Sequence, residues 1–367
     1  MLSSTTPDQT TPEISPEAVL RLTALWAVVE SGLGGVLHAF KLPLTGLMVG
    51  GMAVVLITLI AHFAKDPRAI LRATLTVLIV KALVSPHSPI GAYVAVSFQG
   101  LMGFAIYSLS RPGYLSSIPF AVTAMLESAL QKLLMLVLFF GQPLVEAVDG
   151  WGAWVVQRYF TNWADASWSL TWTLVALYVG VYALGGMFIG WFAAGAPAAI
   201  ESARRDFAHA QGSPQLDSAG GASPPIQSRR GRKSRRLAVL VAISLALGLS
   251  VYFSAQDDDS RLISASLYMV RTLSIVALWY VVVAPWLAQM FRGWLLARRG
   301  RVSDQLDAVL ALVPRIRSLA KTEYNRLRAS ASDSELPRWR RATRWLTSVI
   351  ALSLTMDYGE AAHSTSP

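Results

Sequence analysis

The sequence predicts an all-α integral membrane protein, because the composition, the long apolar segments and the placement of basic residues all favour that class. Of the 367 residues, 53% are hydrophobic and 15% are charged. A soluble domain of this size is rarely so apolar unless membrane-spanning segments account for the excess. The net charge of +10 is concentrated between and after the apolar runs, which indicates membrane topology. We therefore expect a multi-pass membrane protein that binds no nucleic acid.

Apolar segments predict eight membrane spans in two groups. Most are long enough to cross a hydrocarbon core of about 30 Å, although the third is short and requires its flanks to reach the interface. The first group predicts a six-helix bundle and the second a two-helix hairpin followed by cytoplasmic amphipathic helices. The predicted spans are 18–39, 44–63, 70–84, 90–109, 118–140 and 170–193, and then 237–253 and 262–290.

Basic residues fall in alternate connections between these spans, which sets the expected orientation. Connections rich in Lys and Arg are cytoplasmic by the positive-inside rule. The connection between spans five and six is acidic and rich in Trp, so we expect it outside, either as a lid or as an aromatic belt. Both termini are then cytoplasmic, in a bacterial inner membrane. The basic residues are Lys65, Arg68, Arg72, Arg111, Arg204 and Arg205, and the tryptophans are Trp151, Trp154, Trp163 and Trp168.

Composition changes along the chain predict four regions. Residues 1–17 are polar, lack the features of a signal peptide and suit a disordered tail. Residues 18–200 form the six-span domain. Residues 201–236 are rich in Gly, Ser and Pro and end in a basic run, which predicts a flexible cytoplasmic linker. Residues 237–367 hold two spans and a cytoplasmic tail.

Motifs for enzymatic chemistry are missing from the sequence. There is no phosphate-binding G-x-x-x-x-G-K-[ST] loop, no H-E-x-x-H and no G-x-S-x-G pattern, and the chain contains no cysteine. The five histidines are scattered. We therefore expect no catalytic residues, no metal ligands and no cofactor, and we do not expect an enzyme.

Ionisable residues within or near the predicted spans are the candidate substrate-binding residues. Such residues are costly in a membrane and are functional by default. Their positions predict an outward-facing pocket. In the alternative interpretation, the residues near span ends reach the headgroups, and the others pair with polar groups on neighbouring helices. The candidates are Glu30, His38, Lys81, His87, Glu127 and Lys132.

Small residues recur at four-residue spacing in three of the spans. Such stripes allow helices to approach closely, either inside the bundle or against a partner helix. We expect internal packing. The residues are Ala27, Ser31 and Gly35, Gly46 and Gly50, and Gly186, Gly190 and Ala194.

An amphipathic segment, 303–330, follows the last span. Apolar residues recur at helical spacing from Leu306 to Leu327, and arginines occupy the other faces. Pro314 should kink or break this helix. The segment suits either a helix lying on anionic lipid or a lever that contacts a partner. Its candidate coupling residues are Arg315, Arg317, Arg326 and Arg328.

Local strings in both halves resemble the energy-coupling factor (ECF) transporters. In these importers, a six-span substrate-binding S component sits on a T component driven by two ATPases. The strings VLHAFKLP at 36–43 and KALVSPHSP at 81–89 resemble S-component-like bacterial proteins. The tail resembles the coupling region of a T component. There, Val313 and Pro314 take the place of an Ile-Pro pair, and residues 327–330 and 356–359 stand where the family has its two Ala-Arg-Gly motifs, neither of them intact.

The resemblance covers most of the chain and implies an S component fused to a reduced T component. It implies an S-component-like bundle with coupling helices, ABC-type ATPase subunits as partners, contact with membrane lipid, and a vitamin, cofactor or metal as small-molecule substrate. Two other functions stay open. One is a membrane scaffold whose basic tail recruits a partner or anionic lipid, and the other is a secondary transporter that relays protons through buried ionisable residues.

Overall fold

The structure is a computed structural model that describes residues 16–33, 45–64, 66–85, 88–159, 169–209, 272–329 and 337–355. Every regular element in these ranges is a helix, which confirms the all-α prediction. The helices are α1 Pro16–Val28, α2 Thr45–Phe63, α3 Arg68–Val84, α4 Ile90–Leu109, α5 Tyr114–Phe140, α6 Gln142–Tyr159, α7 Leu170–His209, α8 Thr272–Ala297, α9 Ser303–Ala329 and α10 Arg338–Thr355. Two π-helical segments occur among them. Val29–Leu33 continues α1, and Trp279–Val283 lies within α8.

Five of the described helices are long and apolar enough to cross a membrane: α2, α4, α5, α7 and α8. They coincide with the second, fourth, fifth, sixth and last predicted spans. Neither α1, with 13 residues, nor α3, with 17, is among them. The predicted span 237–253 and the end of the first, 34–39, lie outside the described residues.

Prolines mark several helix starts. Pro16 is the first residue of α1, and Pro67, Pro89 and Pro337 immediately precede α3, α4 and α10. Proline suits these positions because the first amide groups of a helix have no intrahelical acceptor. Pro314 instead lies inside α9, which continues on both sides of it. The helix therefore does not break at Pro314, and a kink there stays a prediction.

The chain divides into two compact units, and the first contains residues 1–128, 182–213 and 294–367. In this unit α1 packs against α2, α3, α9 and α10, while α4 packs against α2 and α3. The largest fully buried side chains include Trp26, Tyr93 and Phe120. The unit thus combines helices from both sides of the predicted linker 201–236.

The second unit contains residues 129–181 and 214–293. Its α6 begins directly after Gly141, whose φ of 62° lies in the left-handed region that glycine adopts without strain. Gly152 allows α6 to approach α7, because a Cβ there would lie 2.8 Å from the Cβ of Leu170. The predicted external loop is therefore helical over 142–159. Residues 160–168, with Trp163 and Trp168, lie outside the described ranges.

Asp149 on α6 fixes the start of α7. Its carboxylate accepts hydrogen bonds from the Ser169 hydroxyl and, at 2.8 Å, from the Thr171 amide. The amide bond from Thr171 is the main reason that the pKa of Asp149 lies below its ordinary value of 3.8, although burial acts in the opposite direction. A carboxylate is stabilised at this position because the first amide groups of a helix point toward it.

Candidate functional site

Two of the predicted substrate-binding residues form a buried ion pair. The Lys81 Nζ lies 2.6 Å from Glu30 Oε2, and the two side chains are 5% and 4% exposed. Glu30 lies in the π-helical segment after α1, and Lys81 lies in the last turn of α3. Each charge compensates the desolvation of the other, so neither is available to a substrate unless the pair separates.

Local backbone structure sets the position of Glu30. The Ser31 hydroxyl donates a hydrogen bond to the carbonyl of Ala27 at 2.6 Å within the same helix. A π-helical turn carries one more residue than an α-helical turn and is frequent at functional sites. Ala27 is fully buried and Ser31 nearly so. These two residues of the first small-residue stripe therefore pack internally, while Gly35 lies outside the described residues.

Helix α9 reaches the same region of α1. The Arg317 guanidinium lies 3.5 Å from the position that a Cβ on Gly32 would occupy, two residues after Glu30. Leu306, Val309 and Ile316 on the apolar face of α9 are buried. This face packs against α1, α3 and α10. Protein covers it, so the apolar face of α9 does not rest on lipid.

The opposite face of α9 is polar and exposed. It carries both acidic and basic side chains, among them the four predicted coupling residues. Arg326 forms an ion pair with the buried Glu323 at 3.4 Å, whereas Arg328 is exposed near the end of the helix. The exposed side chains are Asp304, Asp307, Arg315, Arg317, Lys321, Arg326 and Arg328.

The contacts of α9 and α10 with α1 extend over several turns of α1. Gly32 follows Arg21 by about three helical turns, or roughly 16 Å. Helix α10 contacts α1 at Arg21, and α9 contacts α1 at Gly32. The charged face of α9 requires water or lipid headgroups. The segment of α1 beside α9 therefore lies close to that region of water or headgroups.

Arg21 connects α1 to the end of α10. Its guanidinium donates hydrogen bonds to the carbonyls of Ser353 and Leu354, at 3.3 and 2.9 Å, and forms an ion pair with Glu17. The last carbonyls of a helix have no intrahelical donor, and a cation near them also interacts favourably with the helix dipole. Trp345 adds a second link, since its indole N–H donates to the Ala320 carbonyl of α9 at 3.0 Å.

A second polar group lies among α2, α4 and α5, and we call it the Gly50 cluster: Gly50, Gln99, Glu127 and Ser128. A Cβ on Gly50 would lie 3.1 Å from Gln99 Nε2 and 3.9 Å from Ser128 Oγ. Gln99 and Ser128 are 2% and 7% exposed. Glu127 is half-buried, and its carboxyl group interacts with the Ser128 hydroxyl.

Hydroxyl groups link α2, α4 and α5 at another level. Thr58 Oγ1 lies 2.8 Å from Tyr107 Oη, which lies 3.0 Å from Ser117 Oγ. All three side chains are buried. These contacts bring the end of α2 next to the junction of α4 and α5, as expected if both connections lie on one side of the membrane.

Of the remaining predicted site residues, the structure describes Glu127 and Lys132. Lys132 is exposed on α5, and His38 and His87 lie outside the described residues. Within the described ranges, no group of three or more His, Cys, Asp or Glu side chains could hold a metal ion. Of the six candidates, Glu30 and Lys81 are in direct contact, and the pocket shared by all six stays a prediction.

Two polar residues that are buried in the structure, Arg21 and Gln99, were not predicted from the sequence. Arg21 carried a signal, because it is a basic residue four positions after Glu17 inside an apolar helix. Gln99 gave a weaker signal in the sequence. It is a polar residue in the middle of a predicted span, but it is uncharged.

Comparisons of the chain with protein families, with curated proteins and with solved structures find no match.

Proposed function

We propose that this chain is the membrane subunit of an ATP-driven importer of the ECF type, which takes up a vitamin, a cofactor or a metal. ATP hydrolysis is assigned to separate ABC-type subunits, since the sequence has no phosphate-binding loop. The observation that supports the proposal best is the packing of α9 along α1. The contacted part of α1 extends from the region where Arg21 binds the end of α10 to the turn that holds Glu30. A cytoplasmic partner that moves α9 would thereby move the helices next to the membrane bundle.

The exposed end of α9 provides the surface for such a partner. Arg326 and Arg328 lie in its last turn, and arginine can donate paired hydrogen bonds to carboxylates of a partner protein. The buried face of the same helix packs against α1 and α3, which hold the Glu30–Lys81 pair. In this mechanism, force enters at the arginines and changes the packing around the ion pair.

The test is a double charge reversal, Arg326→Glu with Arg328→Glu, in the full chain. We expect loss of ATPase co-purification and loss of uptake, while the variant still inserts and folds. A matched control is Arg68→Glu with Arg111→Glu, which makes the same change of charge at exposed positions in two predicted cytoplasmic connections. The control should retain the partner.

Failure to capture an ATPase with the unmutated chain, under conditions that preserve such complexes, would exclude the coupling proposal. Uptake that persists without an ATPase and follows the proton gradient would support the secondary transporter. Absence of both would leave the membrane scaffold.

A further inference from the structure

The Gly50 cluster lies among three helices that can each cross a membrane. Gly50, Gln99 and Glu127 belong to α2, α4 and α5 in turn. We propose that this cluster is a binding site for a small molecule that carries a primary ammonium group. The inference rests on the proposed function, for which it supplies the substrate class.

Two buried acceptor atoms carry the argument. Gln99 Oε1 and Glu127 Oε2 are inaccessible to solvent and have no hydrogen-bond partner among the described residues. A buried polar atom without a partner costs free energy, and more so in a membrane bundle where water is scarce. Both atoms are acceptors, so a ligand that satisfies either of them must bring donors.

The carboxyl group of Glu127 narrows the class of ligand further. An ionised carboxylate within a membrane helix is stabilised by a nearby cation, and a charge-assisted hydrogen bond is stronger than a neutral one. A primary ammonium offers both a positive charge and three N–H donors. An anionic ligand, or one that only accepts hydrogen bonds, would leave both oxygens without donors and is excluded by the same argument.

The walls of the cluster can adapt to a ligand. Gly50 brings α2 close to Gln99. Among the described residues, the only other atom within 3.5 Å of a Cβ at that position is the terminal methyl group of Met125, at 3.0 Å. Methionine is flexible and fills irregular space, so it can move when a ligand binds. The Ser128 hydroxyl can donate or accept a hydrogen bond, which makes it a third polar contact.

The Glu30–Lys81 pair is a weaker candidate for the same ligand. Its two charges already satisfy each other at 2.6 Å, so an ammonium group would have to displace Lys81. The acceptors of the Gly50 cluster require no such exchange. The substrate site and the contact with α9 are thus assigned to different groups of residues.

The experiment compares methylammonium with tetramethylammonium as probes of the purified full chain in lipid nanodiscs. The two cations carry the same charge, but only methylammonium has N–H donors. A ligand that binds the native state raises the unfolding midpoint as its concentration increases. We expect methylammonium to raise the midpoint and tetramethylammonium to have little effect.

Two variants locate the response. Glu127→Gln keeps the size of the side chain and should raise the half-saturating concentration of methylammonium by about tenfold or more, as expected when a charge-assisted hydrogen bond is lost. Gln99→Met removes the second acceptor and should weaken the response as well. The matched control is Glu146→Gln, at an exposed position on α6, and it should respond like the unmutated chain.

Equal responses to the two cations, or a methylammonium response that Glu127→Gln leaves unchanged, would overturn the proposal. Failure here differs from failure of the proposed function. Loss of the methylammonium response with a captured ATPase leaves an importer of another substrate, whereas a methylammonium response without an ATPase leaves the ammonium site on a protein that is not ATP-driven.

Discussion

At the Glu30–Lys81 pair, removal of one partner tests whether the buried charge is compensated. Lys81→Met keeps most of the aliphatic stem but leaves the Glu30 carboxylate buried without its cation. Breaking a buried pair in this way costs about 3–5 kcal/mol of folding free energy. We expect Lys81→Met to lower the measured free energy of unfolding by a similar amount. Adding Glu30→Gln should restore part of that free energy.

An exposed ion pair provides the control. Arg72 and Asp66 lie 3.7 Å apart with about half of each side chain exposed, and such pairs contribute roughly 0–1 kcal/mol. Arg72→Met should therefore change stability little. If Lys81→Met costs no more than Arg72→Met, the Glu30 carboxylate is solvated in solution and the buried pair is not a feature of the folded protein.

Between elements, glycines decide how closely α7 approaches α5. A Cβ on Gly190 would lie 2.5 Å from the Cα of Ile118 and 2.8 Å from the carbonyl oxygen of Ser117. Backbone atoms cannot move aside as a side chain can, so Gly190→Ala should separate the helices. We expect a loss of about 1–3 kcal/mol, typical of overpacking, measured as a lower unfolding midpoint in detergent.

Gly180 on the same helix is the matched control. A Cβ there would meet no atom of the described residues within 4 Å, and alanine favours a helix over glycine by up to about 1 kcal/mol. Gly180→Ala should thus be neutral or stabilising. Similar destabilisation by both changes would mean that α7 is sensitive to any substitution, and that the approach at Gly190 is not specific.

The same helices show which element-level features the sequence could predict. Spacing of small residues predicted internal packing, and this is confirmed at Gly186 and Gly190, where an added Cβ would meet the backbone of α5. The helix α6 was not predicted, because its Trp-rich sequence suited an interfacial loop equally well. The amphipathic stripe of α9 predicted a buried face, but such a pattern does not specify what covers that face.

For the whole molecule, the sequence predicted the membrane-spanning segments better than it predicted how the helices pack against one another. Long apolar segments identify spans by themselves, and five of the eight predicted spans match described helices of suitable length. The packing of α9 and α10 on α1 depends on contacts between residues more than 280 positions apart, such as Arg21 with Leu354. Periodicity is local and does not report such pairings. For the same reason, the sequence did not indicate that Glu30 pairs with Lys81, which lies 51 positions away.

Topology is the prediction that decides the function, and the chain is well suited to test it because it contains no cysteine. Within the part of the chain that the structure describes, an added Cβ at Gly113, Gly150 or Gly300 would have no atom within 4 Å. A single cysteine at any of these positions should therefore be tolerated. We expect a membrane-impermeant maleimide to label Gly150→Cys in intact cells. The positive-inside rule places Gly113 and Gly300 in the cytoplasm, so Gly113→Cys and Gly300→Cys should react only after the cells are opened. Labelling of Gly300→Cys in intact cells would place the start of α9 outside, where no cytoplasmic ATPase could reach Arg326 and Arg328. The coupling proposal would then fail, while the fold of the first unit would be unaffected.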